Sequence, residues 1–310
     1  MTSPQHESYG EVNGVGGAVG ADTPPQQSRL KGRVLMATGS ALLLIGSLGV
    51  YGARLFISGT GGFLDAVLSN MVIVLIGGGV ICGTGGLLYS RGQQHLQAPA
   101  EEVTAGDSRA PVLYLRSFED DSVTKSSHLA GSYAIGSRQF TEEQELTLAL
   151  STAGPVIAVG QPGEQLPLLG AHRLYMDEDW QNRVIELMTG ARLIVLRLGT
   201  TEGVWWEFEQ ALARVGPERL LLLVPSDPED AYEHFRQRAH PRINLPALLD
   251  PPALGLRHSR MSVRGALFFG PGWTPHFIDF HRAPMPLMRG SEVRVEFVRK
   301  ALEPVFAQLR

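Results

Sequence analysis

The sequence contains a single cysteine, Cys82, which lies in an apolar stretch. One cysteine can form neither a disulfide framework within the chain nor a thiolate metal cluster. The nine histidines are scattered, and none of them forms an HxxxH or HExxH pair. These absences exclude the disulfide-rich class of protein, and we predict no metal site.

Positive charge is also scarce, since 27 Lys and Arg residues face 31 Asp and Glu residues for a formal net charge of −4. A chain without a basic field is poorly suited to nucleic acid, so we expect no such partner. The sequence also lacks a GxxxxGK[ST] phosphate loop and a GxSxG nucleophile elbow. Nucleotide hydrolysis by a P-loop and hydrolysis by a serine triad are therefore disfavoured.

Two long apolar runs without charge, Val34–Ala53 and Ala66–Ser90, are present instead. Each reaches the ~20 residues that a helix needs to cross a bilayer. A signal peptide is the other interpretation of the first run, but a long polar leader precedes it and the second run follows closely. The sequence thus predicts a transmembrane hairpin over residues 29–91, with the lipid bilayer as a partner.

Basic residues flank the hairpin on one side, at Arg29, Lys31, Arg33 and Arg91. The positive-inside rule therefore predicts a two-span protein of the cell membrane with both termini in the cytoplasm. The motif Gly79-x-x-x-Gly83 either lets another helix approach closely or reflects the general frequency of glycine in such helices.

The rest of the chain divides by composition into three further parts. Residues 1–28 are rich in Gly, Ser, Gln and Pro and predict a disordered tail, and residues 92–109 predict a polar linker. Residues 110–310 alternate apolar runs with amphipathic patterns. The runs predict strands at 111–117, 155–160, 193–198 and 220–224, with two shorter ones at 265–269 and 277–280.

Helices are predicted between these strands. Capping-box spacing predicts that helices start at Thr141–Gln144 and at Ser226–Glu229. Asp177 or Asp179 is predicted to cap another helix, and residues Glu292–Leu309 are predicted to form a closing helix. Continuous apolar strands separated by amphipathic helices are typical of a parallel sheet that is covered on both faces. The predicted fold class is α/β, a doubly wound and mostly parallel sheet preceded by the transmembrane hairpin.

In open α/β sheets, ligands bind outside the carboxyl ends of the strands. The residues there predict a polar, glycine-rich rim for a small molecule, and they are Arg116, Ser117, Phe118, Asp120, Gly160, Gly199, Thr200, Gly203 and Trp206. Trp205 and Trp206 are adjacent on a helix, so we expect one to pack on the sheet and the other to lie nearer the surface.

Three pieces within residues 111–211 resemble the Toll/interleukin-1 receptor (TIR) fold, a flavodoxin-like fold, and the related nucleoside 2-deoxyribosyltransferase-like proteins. They are PVLYLRSFEDD, DEDWQNRVIELMTGARLIVLRL and GVWWEFEQA. The deoxyribosyltransferase pattern G-T-x-x-E-x-G-x-A places its acid on Glu207, with Gly203 and Ala211 in register. The TIR pattern S-x-W-C-x-x-E places its acid on Glu209. We favour Glu207, because about 200° of helix rotation separates the two and Glu207 lies nearer the strand end.

The resemblance implies cleavage of an N-glycosidic bond in NAD or a related nucleotide, in stress or defence signalling. Glu207 would be the catalytic carboxylate, NAD or a nucleotide the substrate or ligand, and no cofactor is expected. Arg116 would meet a phosphate. The alternative is a non-catalytic domain that senses a nucleotide or self-assembles, with a homo-oligomer formed through the membrane helices and the TIR-like domain.

Overall fold

The computed structural model describes residues 27–57, 64–117, 140–160, 166–167, 169–175, 179–226, 231–248, 261–281 and 291–310, with the backbone alone for 50–57 and 64–76. Its helices are α1 (Arg29–Ile57), α2 (Leu64–Leu96), α3 (Ala100–Gly106), α4 (Glu142–Leu150), α5 (Trp180–Gly190), α6 (Glu202–Arg214), α7 (Ala231–Ala239), α8 (Ser291–Ala301) and α9 (Glu303–Gln308). Its strands are β1 (Val112–Leu115), β2 (Val156–Val159), β3 (His172–Leu174), β4 (Leu193–Arg197), β5 (Leu220–Pro225), β6 (Val263–Gly270) and β7 (Thr274–Asp279).

The strands form one mixed sheet of seven strands in the order β3-β2-β1-β4-β5-β6-β7. The pairs from β3 to β5 are parallel, whereas β6 pairs antiparallel with both β5 and β7. The α/β class predicted from the sequence is confirmed. The edge strand β3 was not predicted, because its three residues, HRL, form no apolar run.

Helices cover both faces of this sheet, and alternation along β1 shows how. Leu113 and Leu115 point into one core with residues of α5, α6 and α7. Val112 and Tyr114 point into a second core with residues of α4, α8 and α9. Successive strand side chains face opposite sides, so a strand buried on both faces must be apolar throughout. The two cores place α4 and α6 on opposite sides of the sheet.

The start of α4 confirms the capping box predicted there. Thr141 Oγ1 accepts from the Gln144 backbone N–H at 3.1 Å, and Gln144 Oε1 accepts from the Thr141 N–H at 2.8 Å. The capping box predicted at Ser226–Glu229 reaches outside the described residues. The predicted closing helix is two helices that meet at Leu302, with Pro304 in the first turn of α9.

The segment 92–109, predicted as a linker, is largely helical. The end of α2 continues to Leu96, and α3 follows after a short break. Gln97 Nε2 donates to the Ala171 carbonyl at 3.0 Å, and the His172 ring nitrogen Nδ1 lies 2.9 Å from the Ala98 carbonyl. These bonds attach the end of α2 to the β3 edge of the sheet. The predicted tail 1–28 lies almost wholly outside the described residues.

Glycines spaced seven residues apart bring α1 and α2 together as antiparallel helices. Gly32, Gly39 and Gly46 of α1 face Gly92, Gly85 and Gly78 of α2. A Cβ atom added to Gly39 would lie 2.6 Å from the Gly85 carbonyl oxygen, and one added to Gly85 would lie 2.8 Å from the Gly39 oxygen. The two backbones are therefore in contact, which only glycine permits.

The motif Gly79-x-x-x-Gly83 lies on another side of α2. Apart from the local backbone of α2 itself, no atom of the described residues comes within 4 Å of a Cβ built on either glycine. The glycines that hold α2 against α1 are thus a different set from the pair that the sequence pattern singled out.

One helical segment among the described residues, Arg29–Gly49, is long and apolar enough to cross a membrane. Its mean hydropathy is 1.4, and 17% of its most apolar window is buried. The sequence predicts two such spans. The second, Ala66–Ser90, lies within α2, and its crossing of a membrane stays a prediction.

Candidate functional site

The neighbouring strands β1 and β4 lead to opposite faces of the sheet. The next described helix after β1 is α4, on one face of the sheet, and β4 is followed directly by α6, on the other face. Where parallel neighbours diverge in this way, their carboxyl ends leave a crevice that commonly holds a ligand. Arg116 and Ser117 follow β1 here, and Gly199 and Thr200 follow β4.

The sequence after β4 begins α6 at once, which places two glutamates near this edge. Thr201 caps the helix, since its hydroxyl accepts from the Val204 backbone N–H at 3.4 Å. Val204, Phe208 and Ala211 then recur at steps of three and four residues and are buried against the sheet. This anchoring fixes the rotation of α6 and therefore the direction of each of its polar side chains.

Glu207 lies on one flank of the buried stripe of α6. The residue as a whole is half-buried, but its Oε2 atom is fully buried and has no hydrogen-bond partner among the described residues. Desolvation raises the pKa of Glu207 from 4.5 to about 8. The carboxyl group is therefore mostly protonated at neutral pH, which is unusual for glutamate and typical of functional sites.

Glu209 has a different environment. It forms an ion pair with Arg242, and both side chains are partly exposed to solvent. Since two residues correspond to about 200° of helix rotation, the two carboxylates leave opposite sides of α6. Glu207, the acid favoured from the sequence, has the more buried environment, and Glu209 is engaged at the surface.

The two adjacent tryptophans divide between core and surface, as predicted. Trp205 is 7% exposed and packs against Phe208 and Phe235, with ring centroids 5.4 Å apart in each pair. Trp206 is only partly buried, and its ring meets that of Trp180 in a T-shaped arrangement at 5.1 Å. Since Trp205 packs on Phe235 of α7 and is about 200° of helix rotation from Glu207, Glu207 leaves α6 on the side away from α7.

Arg116 is buried and does not join Glu207. Its guanidinium lies 3.2 Å from Glu143 of α4, and the other oxygen of Glu143 accepts from Arg173 at 3.0 Å. All three side chains are at most 4% exposed. Since α4 and α6 lie on opposite faces of the sheet, the predicted phosphate ligand and the predicted catalytic acid are on different sides of it.

The ion pair to Glu143 was not predicted, although the sequence holds a signal for its burial. Glu143 precedes Leu146 and Leu150 by three and seven residues, so helical periodicity places it on their apolar face. A glutamate on such a face requires a buried basic partner. The arginines that pair with Glu143 are determined by how α4 packs across β1 and β3. The local sequence does not encode this packing.

The other residues predicted for the rim have varied environments. Ser117 is buried, and Gly160 packs closely on Tyr175, whose ring would lie 2.6 Å from an added Cβ. Gly199 and Thr200 lie in the β4–α6 loop, and Gly203 is exposed in the first turn of α6. Phe118 and Asp120 lie outside the described residues. Within the described ranges, no group of three or more His, Cys, Asp or Glu residues is placed to hold a metal ion.

The chain was also compared with known proteins. No family model, curated protein or solved structure gives a significant match. The resemblance to TIR-like and deoxyribosyltransferase-like proteins therefore stays a prediction.

Proposed function

We propose that this protein cleaves the N-glycosidic bond of NAD or a related nucleotide, with Glu207 as the catalytic carboxylate. The observation that carries the proposal is the buried Oε2 atom of Glu207, which has no partner in the described part of the chain. A carboxyl oxygen held out of water without a partner costs free energy in the folded state. Destabilising groups of this kind are commonly found at functional sites.

The chemistry of bond cleavage suits this environment. As the bond from C1′ of the ribose to the base breaks, positive charge develops on the sugar, and a nearby carboxylate stabilises it. This stabilisation is stronger where water is excluded. Water then adds to C1′ and releases a proton. The products are nicotinamide and ADP-ribose from NAD, or free base and ribose from a nucleoside.

The raised pKa of Glu207 separates two kinds of substrate. A neutral nucleobase leaves more easily when it is protonated, and the protonated carboxyl of Glu207 supplies that proton at neutral pH. The nicotinamide of NAD is already cationic and leaves without protonation, so it requires the ionised carboxylate. A bound cation would itself lower the pKa of Glu207 toward its ordinary range.

We place this domain at the cytoplasmic face of a membrane, as a TIR-like signalling domain in stress or defence. The apolar segment Arg29–Gly49 and the contact of α1 with α2 support an anchor of two helices. The basic residues that flank it, Arg29, Lys31, Arg33 and Arg91, support the placement of both termini in the cytoplasm. The hydrogen bonds of Gln97 and His172 would hold the sheet at a fixed position relative to this anchor.

One observation favours the non-catalytic alternative. Arg116, the predicted phosphate ligand, is engaged with Glu143 on the face of the sheet opposite α6. A domain that senses a nucleotide or self-assembles would not require Arg116 beside Glu207.

The test uses the purified full chain in detergent with NAD and with adenosine as separate substrates. Chromatography measures released nicotinamide or adenine, and calorimetry measures binding. We expect cleavage of at least one substrate, with kcat/KM rising with pH through about pH 8 for NAD and falling through it for adenosine. Binding of NAD without turnover would replace this proposal by the sensing alternative. Absence of both would overturn it.

A further inference from the structure

A second pocket lies on the outer side of α6, away from the core. It has a volume of about 770 Å³ and opens between the start of α5, the exposed side of α6 and the end of α7. Six of its lining residues carry the argument, and they are Trp180, Trp206, Glu202, Glu209, Arg238 and Arg242. Glu207 is not part of the lining.

The four charged side chains in the described part of the lining form two ion pairs of net charge zero. Arg238 binds Glu202 through both terminal nitrogens, at 2.6 and 2.7 Å, and Arg242 pairs with Glu209. The Arg238 guanidinium also lies over the Trp205 ring, 4.3 Å from its centroid. This cation–π contact with the Trp205 ring and the ion pair with Glu202 orient the Arg238 guanidinium before any ligand binds.

These pairs leave hydrogen-bonding capacity of both kinds. A guanidinium has five N–H donors, and Arg238 donates to Glu202 from each of its two terminal nitrogens. A carboxylate can accept about four hydrogen bonds, so Glu202 also keeps free acceptor positions. A hydroxyl group can accept from the arginine and donate to the glutamate at the same time. A phosphate only accepts and an ammonium only donates, so each would bind one member of a pair and would lie beside the like charge of the other member.

An aromatic surface lies beside these polar groups. Trp180 is 38% exposed, and its T-shaped contact with Trp206 fixes the orientation of both rings. The electron-rich face of a tryptophan attracts the weakly positive C–H groups of a saturated ring. A ligand with an apolar face and a rim of hydroxyl groups matches both halves of the pocket.

We propose that this pocket binds an uncharged sugar ring, either as a free saccharide or as the sugar of a larger molecule. The volume is within the range of about 300–1,000 Å³ that is typical of small-ligand sites. The proposal does not rest on the proposed glycosidic activity, because the pocket and Glu207 lie on different sides of α6.

The test is binding of neutral saccharides to the full chain in a detergent that has no sugar head group. A glycan array finds the sugar, and tryptophan fluorescence titration with that saccharide gives its affinity, with AMP and choline as charged comparators. A free saccharide and a glycolipid bearing it in vesicles distinguish the two sources. We expect Trp180→Ala to weaken binding about tenfold or more, and Trp180→Phe, which keeps an aromatic face, to restore most of it.

Two further variants guard against a loss of fold. Glu202→Gln changes a side chain that is 78% exposed, and we expect it also to weaken saccharide binding. The control is Arg236→Gln, which removes the ion pair between Arg236 and Glu233 of α7. Both residues lie outside the pocket lining, and we expect unchanged saccharide binding. The proposal is overturned if no neutral saccharide binds, if AMP or choline binds more tightly, or if Trp180→Ala and Glu202→Gln both bind as the parent does.

Discussion

Glu207 and Glu209 are two residues apart on α6 and occupy opposite electrostatic environments. The Oε2 atom of Glu207 is buried without a partner in the described part of the chain, whereas Glu209 forms an ion pair with Arg242 near the surface. The same side chain on the same helix thus has a raised pKa in one position and a charged partner in the other. This difference provides a matched pair of variants for testing the role of either acid.

Burial of Glu207 predicts how stability changes with pH. Folding raises the pKa of Glu207 from 4.5 to about 8, so between these values the folded state binds the proton more tightly than the unfolded state. The free energy of unfolding therefore falls as pH rises through this window, by at most about 1.4 kcal/mol per pH unit. Residual exposure of Glu207 reduces that slope.

Glu207→Gln removes the titrating group, so the variant should gain stability relative to the parent between about pH 6 and about pH 8. Urea unfolding of the full chain in detergent at several pH values measures this, with Glu209→Gln as control. Parallel pH dependence of the parent and Glu207→Gln would show that Glu207 ionises at an ordinary pKa.

The buried group of Arg116, Glu143 and Arg173 predicts a large loss of stability. Glu143→Gln would remove the buried carboxylate that Arg116 and Arg173 share, at a cost of about 3–5 kcal/mol. The control is Glu186→Gln, which removes an exposed pair with Arg183 and should change stability by less than about 0.5 kcal/mol. Equal urea midpoints for the two variants would contradict the buried arrangement.

The facing glycines of α1 and α2 predict that one substitution has opposite effects at two sites. Gly39→Ala places a Cβ 2.6 Å from the Gly85 carbonyl oxygen and should destabilise the helix pair by about 1–3 kcal/mol. Gly79→Ala meets no atom of the described residues within 4 Å and should gain roughly 0.5–1 kcal/mol of helix propensity. Unfolding in mixed detergent–SDS micelles measures both, and a stabilising Gly39→Ala would disprove the contact.

Local patterns in the sequence were sufficient for much of the α/β fold. The apolar runs gave β1, β2, β4 and β5, because a strand buried on both faces has to be apolar throughout. Thr141 and Gln144 gave the start of α4 through a bond that involves only neighbours in the chain. The strand β3 was not predicted, because His172–Leu174 joins the sheet by pairing with β2 and its composition is not that of a buried strand.

The candidate site was less accessible from the sequence, because it depends on packing between distant elements. Helix rotation alone showed that Glu207 and Glu209 diverge, but which one is buried depends on how α6 packs against the sheet and α5. From the sequence we expected Arg116 to meet a phosphate, and no local pattern indicated Glu143 as its partner. Glu143 and Arg173 meet Arg116 only after α4 and β3 take their places beside β1.

The most direct test of the account compares N-glycosidic cleavage by the parent chain, Glu207→Gln and Glu209→Gln under identical conditions. Release of nicotinamide from NAD and of adenine from adenosine is followed by chromatography, and circular dichroism verifies that each variant is folded. We predict that Glu207→Gln lowers turnover about 100-fold or more, whereas Glu209→Gln stays close to the parent. Undiminished turnover by a folded Glu207→Gln variant would contradict the assignment of Glu207 as the catalytic carboxylate.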